Sequence, residues 1–174
     1  MGKRLVIIGG GAGGGSTAAE AKRNDPSLDV TILQMGRFVS YASCPTPYYI
    51  GDMIKDANQL IARTPEKFRD GGIDVQLHAE VVNIHPQEAS VEVKDGRRFP
   101  YDFLVMATGT SAIVPDMPGV HLPGVFSLRN LEDAIHIKTW LREKNAKRVV
   151  VIGGGLIGPE MSEALHAAGV TTTL

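Results

Sequence analysis

Hydrophobic positions in this chain come in short runs that end at glycines, with helical stretches between them. Lys3–Ile8 predicts a strand, Ser16–Arg23 a helix of small residues, and Leu28–Leu33 a second strand. The first strand and the helix are joined by the glycine-rich turn Gly9-x-Gly11-x-x-Gly14. This order predicts a dinucleotide-binding βαβ unit, in which the helix N-terminus favours a phosphate group.

The same pattern returns at the other end of the chain. Arg148–Ile152 predicts a strand, Gly153-x-Gly155-x-x-Gly158 a second turn, and Pro159–Ala168 a helix whose proline must lie in the first turn. Val170–Leu174 begins a further strand. The residue that distinguishes a ribose hydroxyl from a 2′-phosphate would follow that strand. A native domain rarely stops midway through a βα unit, because the exposed sheet and half-built core would be unstable, so we expect the sequence to be a fragment or a truncated form.

The stretch between the two units predicts different elements. Asp52–Asp70 is polar and is predicted as helical, with a Thr64-Pro65 cap and a stop at Gly71-Gly72. After it we expect an antiparallel insert with a hairpin turn at Asp95-Gly96, then a buried strand and a helix. The predicted ranges are Ile73–Leu77, Glu80–Ile84, Ser90–Lys94 and Arg97–Tyr101 for the insert, Asp102–Ala107 for the buried strand and Asn130–Lys144 for the helix.

Composition narrows the possible partners. The chain has 43% hydrophobic and 21% charged residues, which is typical of a globular protein, and its net charge of −1 gives no electrostatic reason to expect nucleic acid or an anionic membrane as partner. The apolar run Leu5–Ile8 is too short for a signal peptide or a membrane span, which predicts a soluble cytoplasmic protein. The 5 histidines lack metal-ligand spacing, and we expect no metal.

Cys44 is the only cysteine, and it lies between two serines and two prolines. No disulfide can form within the chain, so a redox role requires an external thiol, a sulfenic acid or a partner chain. Pro45 suits the first position of a helix, where the helix dipole and unsatisfied amides would favour a thiolate at Cys44. An extended chain through Pro47 would remove that advantage, and packing alone is the other interpretation of a lone cysteine.

One position departs from the dinucleotide-binding pattern. The second strand is followed by Gln34 where a carboxylate ordinarily contacts the ribose hydroxyls. Glutamine donates and accepts hydrogen bonds but lacks the charge-assisted bond, which predicts weaker retention of the cofactor.

Together these features resemble the FAD-dependent pyridine nucleotide-disulfide oxidoreductases. Within them the chain is most similar to the single-cysteine branch of coenzyme A-disulfide reductases, NADH-dependent persulfide reductases, NADH oxidases and NADH peroxidases. The resemblance is carried by the motifs Gly9–Gly14, Ser40–Cys44 with Pro47–Gly51, Thr64–Phe68, Ala107–Gly109, Ser127–Ala134 and Gly153–Gly158.

The resemblance implies a set of site residues. Cys44 would be the catalytic residue, the first fingerprint and Thr108-Gly109 would bind FAD, and the second fingerprint would bind NADH or NADPH. The implied cofactor-binding residues are Gly9, Gly11, Ala12, Gly13, Gly14, Gln34, Ser43, Val82, Ala107, Thr108, Gly109, Arg129, Gly153, Gly155, Ile157 and Gly158. The implied contacts to a coenzyme A substrate are Ser16, Glu20, Arg23, Ser40 and Ser43.

The resemblance also implies an architecture and a reaction. The fold would be α/β, with a Rossmann-like FAD-binding domain over residues 1–112, a linker over 113–129, and the incomplete start of an NAD(P)H-binding domain over 130–174. The parent protein would be a homodimer that reduces a coenzyme A disulfide or persulfide. An NADH oxidase or peroxidase using a Cys44 sulfenic acid, and a non-catalytic nucleotide-binding fragment, are the alternatives.

Overall fold

The computed structural model describes residues 2–174, which form two compact units. One unit comprises the chain up to Tyr41 together with Ile61–Thr110, and the other comprises Ala42–Leu60 together with Ser111–Leu174. The stretch that carries the cysteine therefore belongs to the same unit as the second fingerprint.

Strands and helices alternate along the chain, and the predicted α/β class is confirmed. Short 3₁₀ turns lie at Ala57–Leu60 and Pro86–Glu88. The strands and α-helices, in chain order, are β1 (Arg4–Ile8), α1 (Ala12–Asn24), β2 (Asp29–Gln34), α2 (Thr46–Ile50), α3 (Pro65–Asp70), β3 (Ile73–Leu77), β4 (Val81–His85), β5 (Ser90–Val93), β6 (Arg98–Pro100), β7 (Phe103–Met106), α4 (Leu131–Glu143), β8 (Arg148–Val150), α5 (Ile157–Ala167) and β9 (Thr171–Thr173).

The first unit is built on a four-stranded parallel sheet in the order β3-β2-β1-β7. Successive side chains of a strand point to opposite faces, so β1 contributes to two cores. On one face Ile7 packs with Ala18 of α1 and Phe68 of α3. On the other face Val6 packs with Val91 of the insert. Burial on both faces explains why β1 is an uninterrupted apolar run.

The insert is a three-stranded antiparallel sheet in the order β4-β5-β6. The predicted hairpin at Asp95-Gly96 is confirmed, with Gly96 at a φ of 87°. The assignment of Ile73–Leu77 to this insert was wrong, because that segment is β3 and pairs in parallel with β2. Alternating burial is compatible with either sheet, and the partner strand decides between them.

The prediction of a buried strand at Asp102–Ala107 is correct for the strand and wrong for its burial. Phe103 of β7 is 47% exposed and Met106 is 66% exposed. The reason is position, since β7 lies at the edge of the parallel sheet and pairs only with β1 among the described strands.

The second unit combines α2, α4 and α5 with the parallel pair β8-β9. The prediction that Asp52–Asp70 is helical is correct for two segments, the 3₁₀ turn Ala57–Leu60 and α3, and wrong for the rest, which begins with a left-handed φ of 64° at Asp52. The cap of α3 in the first unit is confirmed, as Thr64 accepts from the Lys67 N–H and Gly71 ends the helix. None of the helices formed by residues 2–174 has the length and apolar content needed to cross a membrane.

Candidate functional site

The first glycine-rich turn is closed by direct backbone packing. Gly9 has a φ of 98°, and its N–H donates to the Leu33 carbonyl oxygen at 2.8 Å. A Cβ added to Gly14 would lie 1.8 Å from the Gly9 carbonyl oxygen, and one added to Gly9 would lie 2.2 Å from that of Ala107. The third glycine of the fingerprint therefore allows α1 to approach the strand end, and Ala107 belongs to the same junction.

The first turn of α1, next to this closely packed junction, has free space around its backbone. The N-cap residue is Gly11, which has no side chain that could cap the helix, and the first turn has no acidic residue. A Cβ added to Gly11 or Gly13 would meet no atom within 4 Å. The first N–H groups of a helix have no intrahelical acceptor, and they lie at the positive end of its dipole. Gly11, Ala12 and Gly13 therefore fit the pyrophosphate of a dinucleotide.

The side chain of Gln34 turns back onto this fingerprint. Its Oε1 accepts a hydrogen bond from the Gly10 N–H at 2.7 Å, while the Gly10 carbonyl accepts one from the Ser40 N–H at 2.7 Å. A Cβ on Gly10 would lie 2.5 Å from Cγ2 of Val39. The peptide group before Gly10 is thus held by Gln34, and the one after it by Ser40. Sequence reasoning missed this role of Gln34. Its Nε2 donor makes no hydrogen bond within residues 2–174, so a ribose contact through that group remains a prediction.

Ser40, predicted as a substrate contact, also connects neighbouring segments of the first unit. It has a φ of 47°, uncommon for a residue with a Cβ. Its carbonyl oxygen accepts from the N–H groups of Ala62 and Arg63 at 2.8 and 3.2 Å. A Cβ added to Gly15 would lie 3.4 Å from that of Ser40, so α1 packs closely on this residue.

The other predicted substrate contacts lie on the exposed side of α1. Ser16 and Glu20 are one helical turn apart and exposed. The Arg23 guanidinium forms an ion pair with the Glu20 carboxylate, and Asn24 Nδ2 donates to Glu20 Oε1 at 2.8 Å. In this arrangement Arg23 is already paired, so an incoming phosphate would have to displace Glu20.

The remaining cofactor positions predicted outside the two turns are dispersed. Thr108 and Gly109 are exposed directly after β7, with Gly109 at a φ of 70°. Val82 lies on β4 and is 47% exposed. Arg129 lies in the second unit before α4, where its backbone N–H donates to Asp133 Oδ2 at 2.9 Å. Of these residues, Thr108 adjoins the first fingerprint, because a Cβ added to Gly9 would lie 3.3 Å from the Thr108 backbone nitrogen.

The second glycine-rich turn repeats the geometry of the first. Gly153 has a φ of 122°, and a Cβ added to Gly158 would lie 1.9 Å from the Gly153 carbonyl oxygen. A Cβ on Gly153 or Gly155 would meet no atom within 4 Å. Helix α5 begins at Ile157 without a side-chain cap, and Pro159 lies in its first turn as predicted. The turn therefore offers open amides to a second phosphate group.

Cys44 lies in the turn that precedes α2, and its side chain is exposed. The helix begins one residue later than predicted, so Pro45 is the N-cap and Pro47 the second helical residue. The side chain of Thr46 donates to the Ser43 carbonyl oxygen at 2.7 Å, which closes the turn around the thiol. Ser43, predicted for both cofactor and substrate, is exposed beside it.

The far end of α2 is anchored on α4 and α5. A Cβ on Gly51 would lie 2.4 Å from the Ala164 carbonyl oxygen, so α2 and α5 are in backbone contact. Asp52 Oδ1 is 2.9 Å from Lys138 Nζ and 2.7 Å from Arg142 Nη2. The hydrogen bond from Lys138 holds the pKa of Asp52 below its ordinary value. Sequence reasoning missed this cluster, although a lysine at an apolar position of the predicted α4 was a signal.

Comparison with known proteins gives the family. Residues 3–174 match the model of the pyridine nucleotide-disulphide oxidoreductases. The chain is 40% identical over 174 residues to the CoA-dependent NAD(P)H sulfur oxidoreductase of Pyrococcus abyssi, covering 99% of this chain and 39% of that protein. It is 33% identical to an NADH oxidase of Methanocaldococcus jannaschii over 96% of this chain and 38% of that protein.

A solved structure shows the same fold. The chain superposes on the reduced CoADR-RHD protein of Bacillus anthracis with a TM-score of 0.94 and 34% identity, covering 100% of this chain and 32% of that one. The chain thus spans well under half the length of the proteins it matches. The family predicted from the sequence motifs is confirmed: the chain belongs to the pyridine nucleotide-disulphide oxidoreductases.

Proposed function

We propose that this chain carries the cofactor-binding turns and the redox cysteine of an oxidoreductase that reduces a coenzyme A disulfide or persulfide with NAD(P)H. Members of the family are FAD-dependent enzymes that use NAD(P)H. The proposal rests on one observation: the same chain has one exposed cysteine and two equivalent glycine-rich turns whose backbone amides are accessible, Gly9–Gly14 and Gly153–Gly158.

The first turn would hold FAD, and the second would hold NADH or NADPH. Gly11, Ala12 and Gly13 present open amides to the FAD pyrophosphate, and Gly155 and Ile157 do so for the nicotinamide dinucleotide. Bound FAD supplies two-electron transfer between a reduced nicotinamide and sulfur. We assign the FAD-binding domain to residues 1–112 and the start of the NAD(P)H-binding domain to residues 130–174.

Cys44 would perform the sulfur chemistry. Its thiolate attacks one sulfur of the substrate disulfide, forming a mixed disulfide and releasing the other half as a thiolate. Two electrons then cleave the mixed disulfide, which releases the second thiolate and restores Cys44. A coenzyme A persulfide would release hydrosulfide in the first step. A single cysteine suffices because the second sulfur comes from the substrate.

Substrate recognition would use the exposed face of α1. Ser16, Glu20 and Arg23 lie on this helix, and Arg23 is its candidate for a coenzyme A phosphate once Glu20 is displaced. Ser40 and Ser43 are the other assigned contacts. Cytoplasmic location, predicted from the short apolar run Leu5–Ile8, and a homodimeric parent protein, implied by the resemblance to the family, belong to the same proposal.

The proposal is tested by anaerobic titration of the purified chain, reconstituted with FAD, with NADH and then with coenzyme A disulfide. We expect bleaching of the flavin absorbance by NADH and its recovery on addition of the disulfide. Cys44→Ser should retain FAD and its reduction by NADH but lose recovery with the disulfide. Full recovery in that variant would show that Cys44 has no part in the reduction, and absence of NADH oxidation would leave only a nucleotide-binding fragment.

An NADH oxidase is the second candidate, because a relative with that name matches nearly the whole chain. In that case peroxide would oxidise the Cys44 thiolate to a sulfenic acid, with water as the other product. Intact-mass measurement of the chain separates the two reactions. A coenzyme A adduct on Cys44 supports the disulfide reductase, whereas a single oxygen adduct after peroxide treatment with no coenzyme A adduct supports the oxidase or peroxidase.

A further inference from the structure

Lys138 occupies an apolar position of α4 and is 3% exposed. Lysine is rarely buried to this degree unless its ammonium group is paired. Here Nζ is 2.9 Å from Asp52 Oδ1, donates to the Ile54 carbonyl oxygen at 3.2 Å, and lies 3.9 Å from the centre of the Tyr49 ring. The ammonium group is thus held by an anion, a carbonyl and an aromatic face.

All three contacts are made to one short stretch, Tyr49–Ile54. This stretch is the end of α2 and the turn that follows it, and α2 begins two residues after Cys44. Asp52 has a left-handed φ of 64° in this turn, a conformation that persists where the surroundings hold it. The Lys138 bond supplies such a restraint, and Gly51 adds another through its contact with the Ala164 backbone.

Stability alone does not require a lysine at this position. A methionine has a similar length and would bury its side chain without removing a charge from water, and apolar replacement of both partners of a buried ion pair is often neutral or stabilising. The lysine makes the position of the turn more specific, because its three contacts are satisfied in only one placement of the turn relative to α4. A methionine would permit several placements.

We propose that Lys138 is a positioning residue for the segment that carries Cys44. It fixes the end of α2, and through this five-residue helix it fixes the turn in which the thiol is presented. The importance of that placement for the reaction rests on the proposed function, whereas the anchor itself does not.

The test uses the fact that Cys44 is the only thiol of the chain. Its alkylation rate with iodoacetamide is measured for the native and the urea-unfolded chain, and hydrogen exchange is measured at the amides of Gly51 and Met53. In Lys138→Met we expect these amides to exchange roughly tenfold faster and the native alkylation rate to move toward that of the unfolded chain.

Two control variants separate positioning from stability. Leu131→Val weakens the buried start of the same helix without touching the contacts of Lys138, and Arg142→Gln removes the exposed partner of Asp52. Both should leave the alkylation of Cys44 as in the parent chain. If Lys138→Met does not fold, Asp52→Asn provides the same comparison with a smaller expected change.

The proposal is overturned by an unchanged alkylation rate in Lys138→Met or by an equal change in Leu131→Val. It is also overturned if the native parent chain is alkylated at the rate of the unfolded chain, since the thiol would then have no defined placement. Neither alkylation nor hydrogen exchange requires flavin or NADH. A failure of the proposed redox function is therefore distinguishable from a failure of the positioning role.

Discussion

The Gln34 side chain accepts a hydrogen bond from the Gly10 N–H at 2.7 Å, and this bond joins the end of β2 to the first dinucleotide turn. The residue that replaces the usual carboxylate therefore supports the turn from within. A neutral amide can perform this role at any pH, since it does not titrate.

Gln34→Leu should lower the free energy of unfolding of the chain by about 1–3 kcal/mol, because it leaves the Gly10 N–H without its partner in a half-buried site. Urea unfolding followed by circular dichroism measures the change. Gln87→Leu is the matched control, since Gln87 is exposed in a 3₁₀ turn, and it should change stability by less than about 0.5 kcal/mol. Equal stability of the two variants would contradict the role assigned to Gln34.

Gly14→Ala should prevent the first unit from closing, because the new Cβ would lie 1.8 Å from the Gly9 carbonyl oxygen. We expect a loss of at least about 3 kcal/mol, since the obstructing Gly9 carbonyl group is part of the backbone and cannot move aside as a side chain can. Gly13→Ala, one residue earlier in the same helix, meets open space and should stabilise α1 by about 0.5–1 kcal/mol. Thermal unfolding of both variants tests the difference, and a similar melting temperature would show that the turn can move apart.

Gly51→Ala tests the backbone contact between α2 and α5. The new Cβ would lie 2.4 Å from the Ala164 carbonyl oxygen, so one of the two helices must move, and we expect a cost of about 2–3 kcal/mol. Gly155→Ala in the same unit is the control, because its Cβ would meet no atom within 4 Å. The result to look for is a lower melting temperature in the first variant only. A tolerated Gly51→Ala would mean that α2 is not held by α5.

The acid dependence of stability should reveal the Asp52–Lys138 pair. In the folded chain the hydrogen bond from Lys138 holds the pKa of Asp52 below its ordinary value of 3.8. A carboxylate with a lowered folded pKa contributes stability that is fully present above its unfolded pKa and is lost as the pH falls through the folded value. The difference in unfolding free energy between the parent chain and Asp52→Asn should be constant from pH 7 to about 5 and shrink below about 4. A difference that persists unchanged to pH 3 would exclude the pair as its source.

Much of the fold could be predicted from the sequence because it depends on residues close together in the chain. The stop of α1 at Asn24, the Thr64-Pro65 cap and the hairpin at Asp95-Gly96 each follow from the chemistry of a few adjacent residues. The two glycine turns were found in the same way, since each repeats a fixed spacing next to a strand.

Features that depend on distant residues were predicted less well. Ile73–Leu77 joined the parallel sheet instead of the insert, and β7 proved to be an exposed edge, because strand order is absent from the alternation of side chains. The stretch Asp52–Asp70, predicted as helical, forms only a 3₁₀ turn and α3, and its first residue takes a left-handed conformation in the turn that Lys138 of α4 contacts.

The chemistry of the glycine-rich turns and of the Cys44 segment also divides into a part that depends on neighbouring residues and a part that depends on distant ones. The sequence specified which groups are available: open glycine amides at two helix starts, one thiol, and an amide at Gln34 in place of an acid. Which of these groups are already engaged depended on long-range contacts. Gln34 bonds to Gly10 at a separation of 24 residues, and Lys138 bonds to Ile54 at a separation of 84. Such pairs form because folding buries polar groups that must then find partners, and the partner is whichever group the tertiary packing brings within reach.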